Sequence, residues 1–189
     1  MRPSHPTLVA ASRAIASHRD AMVARWNEWL GERMTASRSL SRTVVEQQLR
    51  LIIDVLAAMI GPLRRETKPI WAEVTEHYGR IAAVRGLAAG EVVEEMQYLR
   101  ELLIRYLAPA IAALRPRQGM ALLLRLNRLV DKGVAMAVVG YTDALVHTLL
   151  PGDGPSSNGA PSIDPAELQH ELDAITRSLQ AITGAASRR

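Results

Sequence analysis

The stretch Ile70–Leu107 reads IWAEVTEHYGRIAAVRGLAAGEVVEEMQYLRELLIRYL, and its spacing decides the fold class. Ile70, Val74, His77, Ile81 and Val84 follow one another at steps of four, three, four and three. That is the repeat of one face of an α-helix, and no strand alternation competes with it. The spacing predicts a helix from about Lys68–Pro69, with the proline in the first turn, to Val84, ending near Gly86. Val92, Met96, Leu99, Leu103, Tyr106 and Leu107 repeat the pattern in a second helix over Ala89–Leu114, with a bend expected at Pro109. Gly86–Gly90 (GLAAG) joins the two. No strand precedes it, so it is a connector and not a phosphate cradle.

His77 stands in the apolar seam itself, with Glu73, Arg80 and Arg85 beside it, and Arg100 stands next to the following seam. A His and an Arg directed into a bundle need partners, because unpaired burial is costly. The acids Glu73, Glu76, Glu91, Glu94 and Glu95 and the hydroxyls of Tyr78 and Tyr98 are the partners on offer. Buried polar groups are mostly satisfied within the fold, which favours a network that fixes helix register. The sharper reading makes Trp71, His77, Tyr78, Arg80, Arg85 and Arg100 the lining of a ligand pocket or a pH- or ligand-sensitive switch. A third reading places haem on His77 or His18. A lone seam His and the absence of any Phe argue against it.

Helical periodicity extends outward in both directions. Leu8, Ala11, Ile15, Met22, Trp26, Trp29 and Leu30 predict one helix over Thr7–Met34. A second, N-capped by Ser41, carries Val45, Leu49, Ile52, Leu56 and Met59 and stops at Gly61–Pro62. A long helix is expected over Pro116–Leu150, apolar on nearly every side around Gly133–Gly140. Such a helix is central in its bundle or buried against a partner chain, and the second case makes Val134, Ala137, Val138, Tyr141 and Leu145 the candidate homodimer interface. PGDGPSSNGAPSIDP, Pro151–Pro165, lacks periodicity and reads as a flexible linker. Leu168, Leu172, Ile175, Leu179 and Ile182 then mark a short amphipathic helix, able to dock on the bundle or on a second copy. The chain is therefore all-α: a bundle of about five main helices in residues 1–150, a linker over 151–165, and a C-terminal helix or tail over 166–189.

Composition narrows the function. The 189 residues contain no Cys, which removes disulfides, thiolate catalysis, iron–sulfur clusters and Cys-based zinc sites. Aromatic residues are 4% of the chain, too few for a module that stacks bases. The net charge of +4 comes from 21 Arg and 2 Lys scattered among acids, without a basic run that would mark a nucleic-acid partner. The charge divides as +6 over residues 1–150 and −2 over 151–189. No apolar run approaches the ~20 residues of a spanning helix. The N-terminus has no secretory pattern, so no membrane insertion and a cytoplasmic location are expected. The five His include no i, i+4 pair, no HExxH or nucleophile-elbow motif occurs, and the neighbours Glu94 and Glu95 point about 100° apart on a helix. No enzyme activity, metal or cofactor is expected.

Trp71, His77–Tyr78–Gly79–Arg80, Arg85–Gly86, Glu91–Val92, Leu99–Arg100 and Leu103 together resemble the amino-terminal domain of RsbT co-antagonist (RsbRD-type) proteins. Val130–Leu145 (VDKGVAMAVVGYTDAL) is similar to the closing helix of that family, and the likeness is clearest over 66–145. The resemblance implies a helical sensory or regulatory input domain, globin-like without haem, paired as a homodimer ahead of a histidine-kinase or other signalling output. The 24 residues after Pro165 hold no complete output module, so a standalone regulator or an excised input domain is expected. A scaffold binding a partner helix is the alternative. His170–Glu171–Leu172 is similar to the start of a phosphoacceptor helix. The match fails at Ile175–Arg177, and an exposed helix His is the plainer reading.

Overall fold

The computed structural model describes residues 5–33, 42–149 and 164–187. It holds seven α-helices and no strand among them: α1 (His5–Ser17), α2 (Arg19–Arg33), α3 (Arg42–Ile60), α4 (Arg64–Val84), α5 (Ala89–Ala112), α6 (Pro116–Leu149) and α7 (Pro165–Ser187). An all-helical bundle is thus the architecture. The expected Ser41 cap and almost all of the expected linker lie outside the described residues.

Two boundaries differ from those the sequence predicts. The first helix is divided at His18, whose N–H is shared between the carbonyls of Ala14 and Ile15, while the Ser17 hydroxyl donates to Ala14. Serine competes in this way with the helical ladder and weakens it. The helix carrying His77 starts at Arg64, four residues before Lys68, with Pro69 inside it. Pro69 removes the donor that Arg65 would receive. Both residues are exposed, so water can take the donor's place.

Other stops follow local chemistry. Gly86 adopts φ +78°, and Gly86 N–H and Leu87 N–H donate back to Ala83 and Ala82. This is a Schellman ending, which needs a left-handed residue that only glycine adopts without strain. At the start of α5 the Glu91 carboxylate accepts the Ala88 N–H at 2.6 Å, half of a capping box.

The α4–α6 contact is the centre of the bundle. A Cβ on Gly79 would stand 1.8 Å from the Ala137 carbonyl oxygen, and one on Gly140 would stand 2.0 Å from that of Glu76. The two backbones touch, which only glycine permits at these positions. Nearby, Gly133 leaves room for the Trp71 ring, and the Trp71 indole N–H donates to Leu129 at 3.1 Å. The apolar girdle of α6 is therefore explained inside one chain. Ala137 and Tyr141, proposed above for a dimer interface, are buried against α4 and its following turn, and the Tyr141 hydroxyl donates to Leu87 at 2.7 Å. Val134, Val138 and Leu145 are half-buried. The outward side of α6 is instead marked by Met120, Leu124, Val139 and Val146.

α3 packs beside α4, α5 closes on α6, and α1 and α2 lie across α3 and α5. α7 is docked, not trailing. It lies along α4 and α3 and buries Leu168, Leu172, Ile175 and Leu179 in the shared core. No helix among the described residues is long and apolar enough to cross a membrane.

Candidate functional site

Two buried polar clusters lie on α4, one facing α5 and the other facing α3 and α7. The first joins α4 to α5. Arg85 reaches Glu95 through two contacts, at 2.7 and 3.0 Å, and the Tyr78 hydroxyl donates to the same carboxylate. All three residues are buried. Burial pulls the Arg85 guanidinium down, but Glu95 and Tyr78 outweigh it and leave its pKa raised. Burial, then the Glu95 charge, pushes the Tyr78 phenol well above its ordinary value. The phenol stays protonated and donates; the guanidinium stays charged. A bidentate pair with a third donor gives each charge a partner, the condition for tolerating charge in a core.

The second cluster joins α3, α4 and α7 around His77, which has no exposed surface. Its Nδ1 lies 2.9 Å from Gln48 Oε1, and its Nε2 lies 3.0 Å from the Leu168 carbonyl oxygen in α7. The Gln48 amide is oriented by its own Nε2–H, which donates to the Val74 carbonyl at 2.9 Å. Glu171 stands 3.5 Å from His77 Nε2 and is held by Arg80 at 2.9 and 3.1 Å. Burial, with an opposing contribution from Leu168 and a further lowering by Arg80, brings the His77 pKa from 6.5 down to about 4. The imidazole is therefore neutral at pH 7.

The sequence-predicted residues are thus brought together only in part. His77 and Arg80 share the α7 cluster; Tyr78 and Arg85 share the α5 cluster; Trp71 is a core residue hydrogen-bonded to α6. Arg100 belongs to neither. It is half-buried and pairs with Asp131 of α6. None of the acids expected to serve His77 does so; Gln48, Leu168 and Glu171 take that place. Glu95 does serve, but for Arg85 and Tyr78. Gln48 escaped the sequence reading although its spacing held a signal: it falls three residues after Val45 and four before Ile52, on the core face of α3.

Two surface clefts lie elsewhere. One of about 330 Å³ between α2 and α5 is lined by Arg25, Tyr98, Leu102, Arg105 and Tyr106. Another of about 220 Å³ runs between α3 and α7, past Arg50, Asp54, Leu172 and Asp173. With oxygen neighbours on both ring nitrogens, His77 presents no free nitrogen to an iron. His18 lies against the Tyr106 ring at 5.2 Å between centroids. Among the described residues no group of three or more His, Asp or Glu could hold a metal ion. His170 is exposed. Compared with protein-family models, with curated proteins and with solved structures, the chain matches none.

Proposed function

We propose that the chain is a non-enzymatic regulatory input domain of a bacterial signalling protein, and that the docking state of α7 is what it passes on. The observation that supports this is the seat of α7. Its apolar seam closes the core, and Leu168 meets His77, Glu171 meets Arg80 and Gln169 meets Gln47. A helix seated by one face on α3 and α4 is a unit that can come off without unfolding the rest, because structures open locally in cooperative units. The RsbRD-type resemblance of residues 66–145 points to the same class of role.

In this reading the bundle α1–α6 is the receiver and α7 the reporter. A downstream signalling protein or output domain would read whether the α3–α4 groove is covered. Removing residues 151–189 tests the reading. The truncated chain should remain helical and lose only part of its stability, while its groove becomes available to an added peptide of residues 164–187. Loss of all helical structure, by circular dichroism, would sink it, as would a peptide that fails to bind the folded truncated bundle.

The alternative is a helical scaffold that acts by association, as a homodimer or with a partner helix. The exposed apolar residues Met120, Leu124, Val139 and Val146 of α6 favour it. Light scattering on the intact protein separates the two: dimers that dissociate on Val139→Asp but keep α7 docked would favour the scaffold.

A further inference from the structure

The hydrogen bonds around His77 can be counted. From α4 through α3 and back, the contacts run Val74 carbonyl to Gln48, Gln48 to His77, and His77 to the Leu168 carbonyl. Each of these three contacts requires one proton. Both ends are carbonyl oxygens and accept only. Along this line the Gln48 amide supplies one proton, since its nitrogen faces one neighbour and its oxygen the other, and a neutral imidazole supplies one more. Turning the Gln48 amide over does not help, because its oxygen would then face the Val74 carbonyl. The line is one proton short.

A second proton on the ring would complete the line, but it would also create a buried cation. The two charged groups nearest it, Arg80 and Glu171, are of opposite sign and paired with each other, so they do not offset the cost of burying that cation. From α4, Arg80 faces it with the same sign. From α7, Glu171 Oε2 approaches to 3.5 Å with no hydrogen bond of its own, its charge paired with Arg80 at 2.9 Å. α3 offers the uncharged Gln48, and its Arg50 and Asp54 stand farther along the α3–α7 cleft beside Asp173. α6, on the other side of α4, meets it through Gly133, Ala137 and Gly140, which carry no charge. The docked state thus keeps the ring neutral and leaves one contact unfilled.

We propose that His77 and α7 form an acid-released latch, in which α7 docks on the neutral imidazole and comes off when the ring takes up its second proton. Lifting α7 removes the Leu168 carbonyl that caps Nε2, opens that nitrogen to water, and lets the cation form in a solvated setting. The ring gains a proton from solvent, and the apolar seam of α7 leaves the groove. The sign follows from linkage. A His whose pKa is lowered in the docked state contributes its full stabilisation above about pH 6.5 and loses it progressively down to about 4. Over that window the ratio of docked to released α7 should fall by about a hundred-fold. The cleft between α3 and α7 means that one flank of the helix is already incompletely packed.

The absence of cysteine makes the test direct. Nitroxide labels on Ser178→Cys in α7 and Glu73→Cys in α4, both exposed positions of the full chain, report the separation of the two helices. A single short distance is expected at pH 7.5, with a second, longer population growing below pH 6 and reversing on return. Near-UV circular dichroism should hold steady meanwhile, since Trp71 and the α4–α6 core stay packed. His77→Gln, which donates and accepts without titrating, should remain docked throughout. If that variant does not fold, ring carbon chemical shifts of His77 in the unsubstituted chain decide: the ring should titrate together with α7 release and not before it. An unchanged distance from pH 7.5 to 4.5, tighter docking in acid, or the same acid profile in a folded His77→Gln chain would each overturn the latch.

Discussion

Arg85–Glu95–Tyr78 and His77–Gln48–Leu168 are both buried, both anchored on α4, and one residue apart in sequence where Tyr78 follows His77. Their bookkeeping differs. In the first cluster Arg85 and Tyr78 give both oxygens of Glu95 a donor, and the charges cancel. In the second, acceptors outnumber the protons available to a neutral ring. The first joins α4 to α5 across a four-residue connector and belongs to the permanent core. The second joins α4 to a helix 91 residues away along the chain. Burial alone therefore does not tell a fastening from a hinge. The count of donors against acceptors does.

The largest expected effect comes from attacking the satisfied cluster. Glu95→Ala leaves Arg85 charged, buried and without its carboxylate, and should lower global stability by about 3–5 kcal/mol in urea denaturation. Next is Leu172→Ala in α7, where truncating a fully buried leucine should cost about 2–5 kcal/mol. That loss should appear mainly as faster amide exchange within α7, with the urea midpoint of the remaining bundle moving much less. A shared loss across all helices would erase the distinction between the two regions. Gln48→Leu is the sharper probe. It removes one of the partners that cannot all be satisfied, and a neutral His77 can then donate Nε2–H to Leu168 without conflict. A cost below about 1 kcal/mol is expected, against the ~1–3 kcal/mol of an ordinary buried polar deletion. Smallest of all, Arg100→Met breaks a half-exposed pair with Asp131 and should change stability by less than about 1 kcal/mol.

Much of this architecture is legible in the sequence, and the rest is hidden for a definable reason. Seam spacing places His77 inside, Gly61–Pro62 stops α3, and Gly86 ends α4. Each is a local property of consecutive residues. Periodicity tells which face of a helix turns inward but not which helix it meets. Arg100 and Arg85 both stand near seams; the α4–α5 turn brings Arg85 to Glu95, while Arg100, five residues on from Glu95 along α5, faces Asp131 of α6. For the same reason the girdle at Gly133–Gly140 suits an internal crossing as well as a partner chain, until Gly79 is seen to meet it. Gln48 is hidden because an amide beside Gln47 looks like an interruption of the seam. In the fold it joins α3 to α4 through the Val74 carbonyl and the His77 ring.

The glycine contacts between α4 and α6 restrict how any change could travel through the molecule. Gly79 and Gly140 each face a carbonyl on the other helix. Sliding one rod past the other by a turn would set the side chain of Thr75 or Ala83 where Gly79 now sits, against an oxygen less than a carbon's width away. Lengthwise shear between the two longest-packed rods is thus blocked in both directions. Motion is left to the periphery, so a stimulus felt anywhere on the bundle has to leave it by displacing an outer helix, with the central pair serving as a fixed axle.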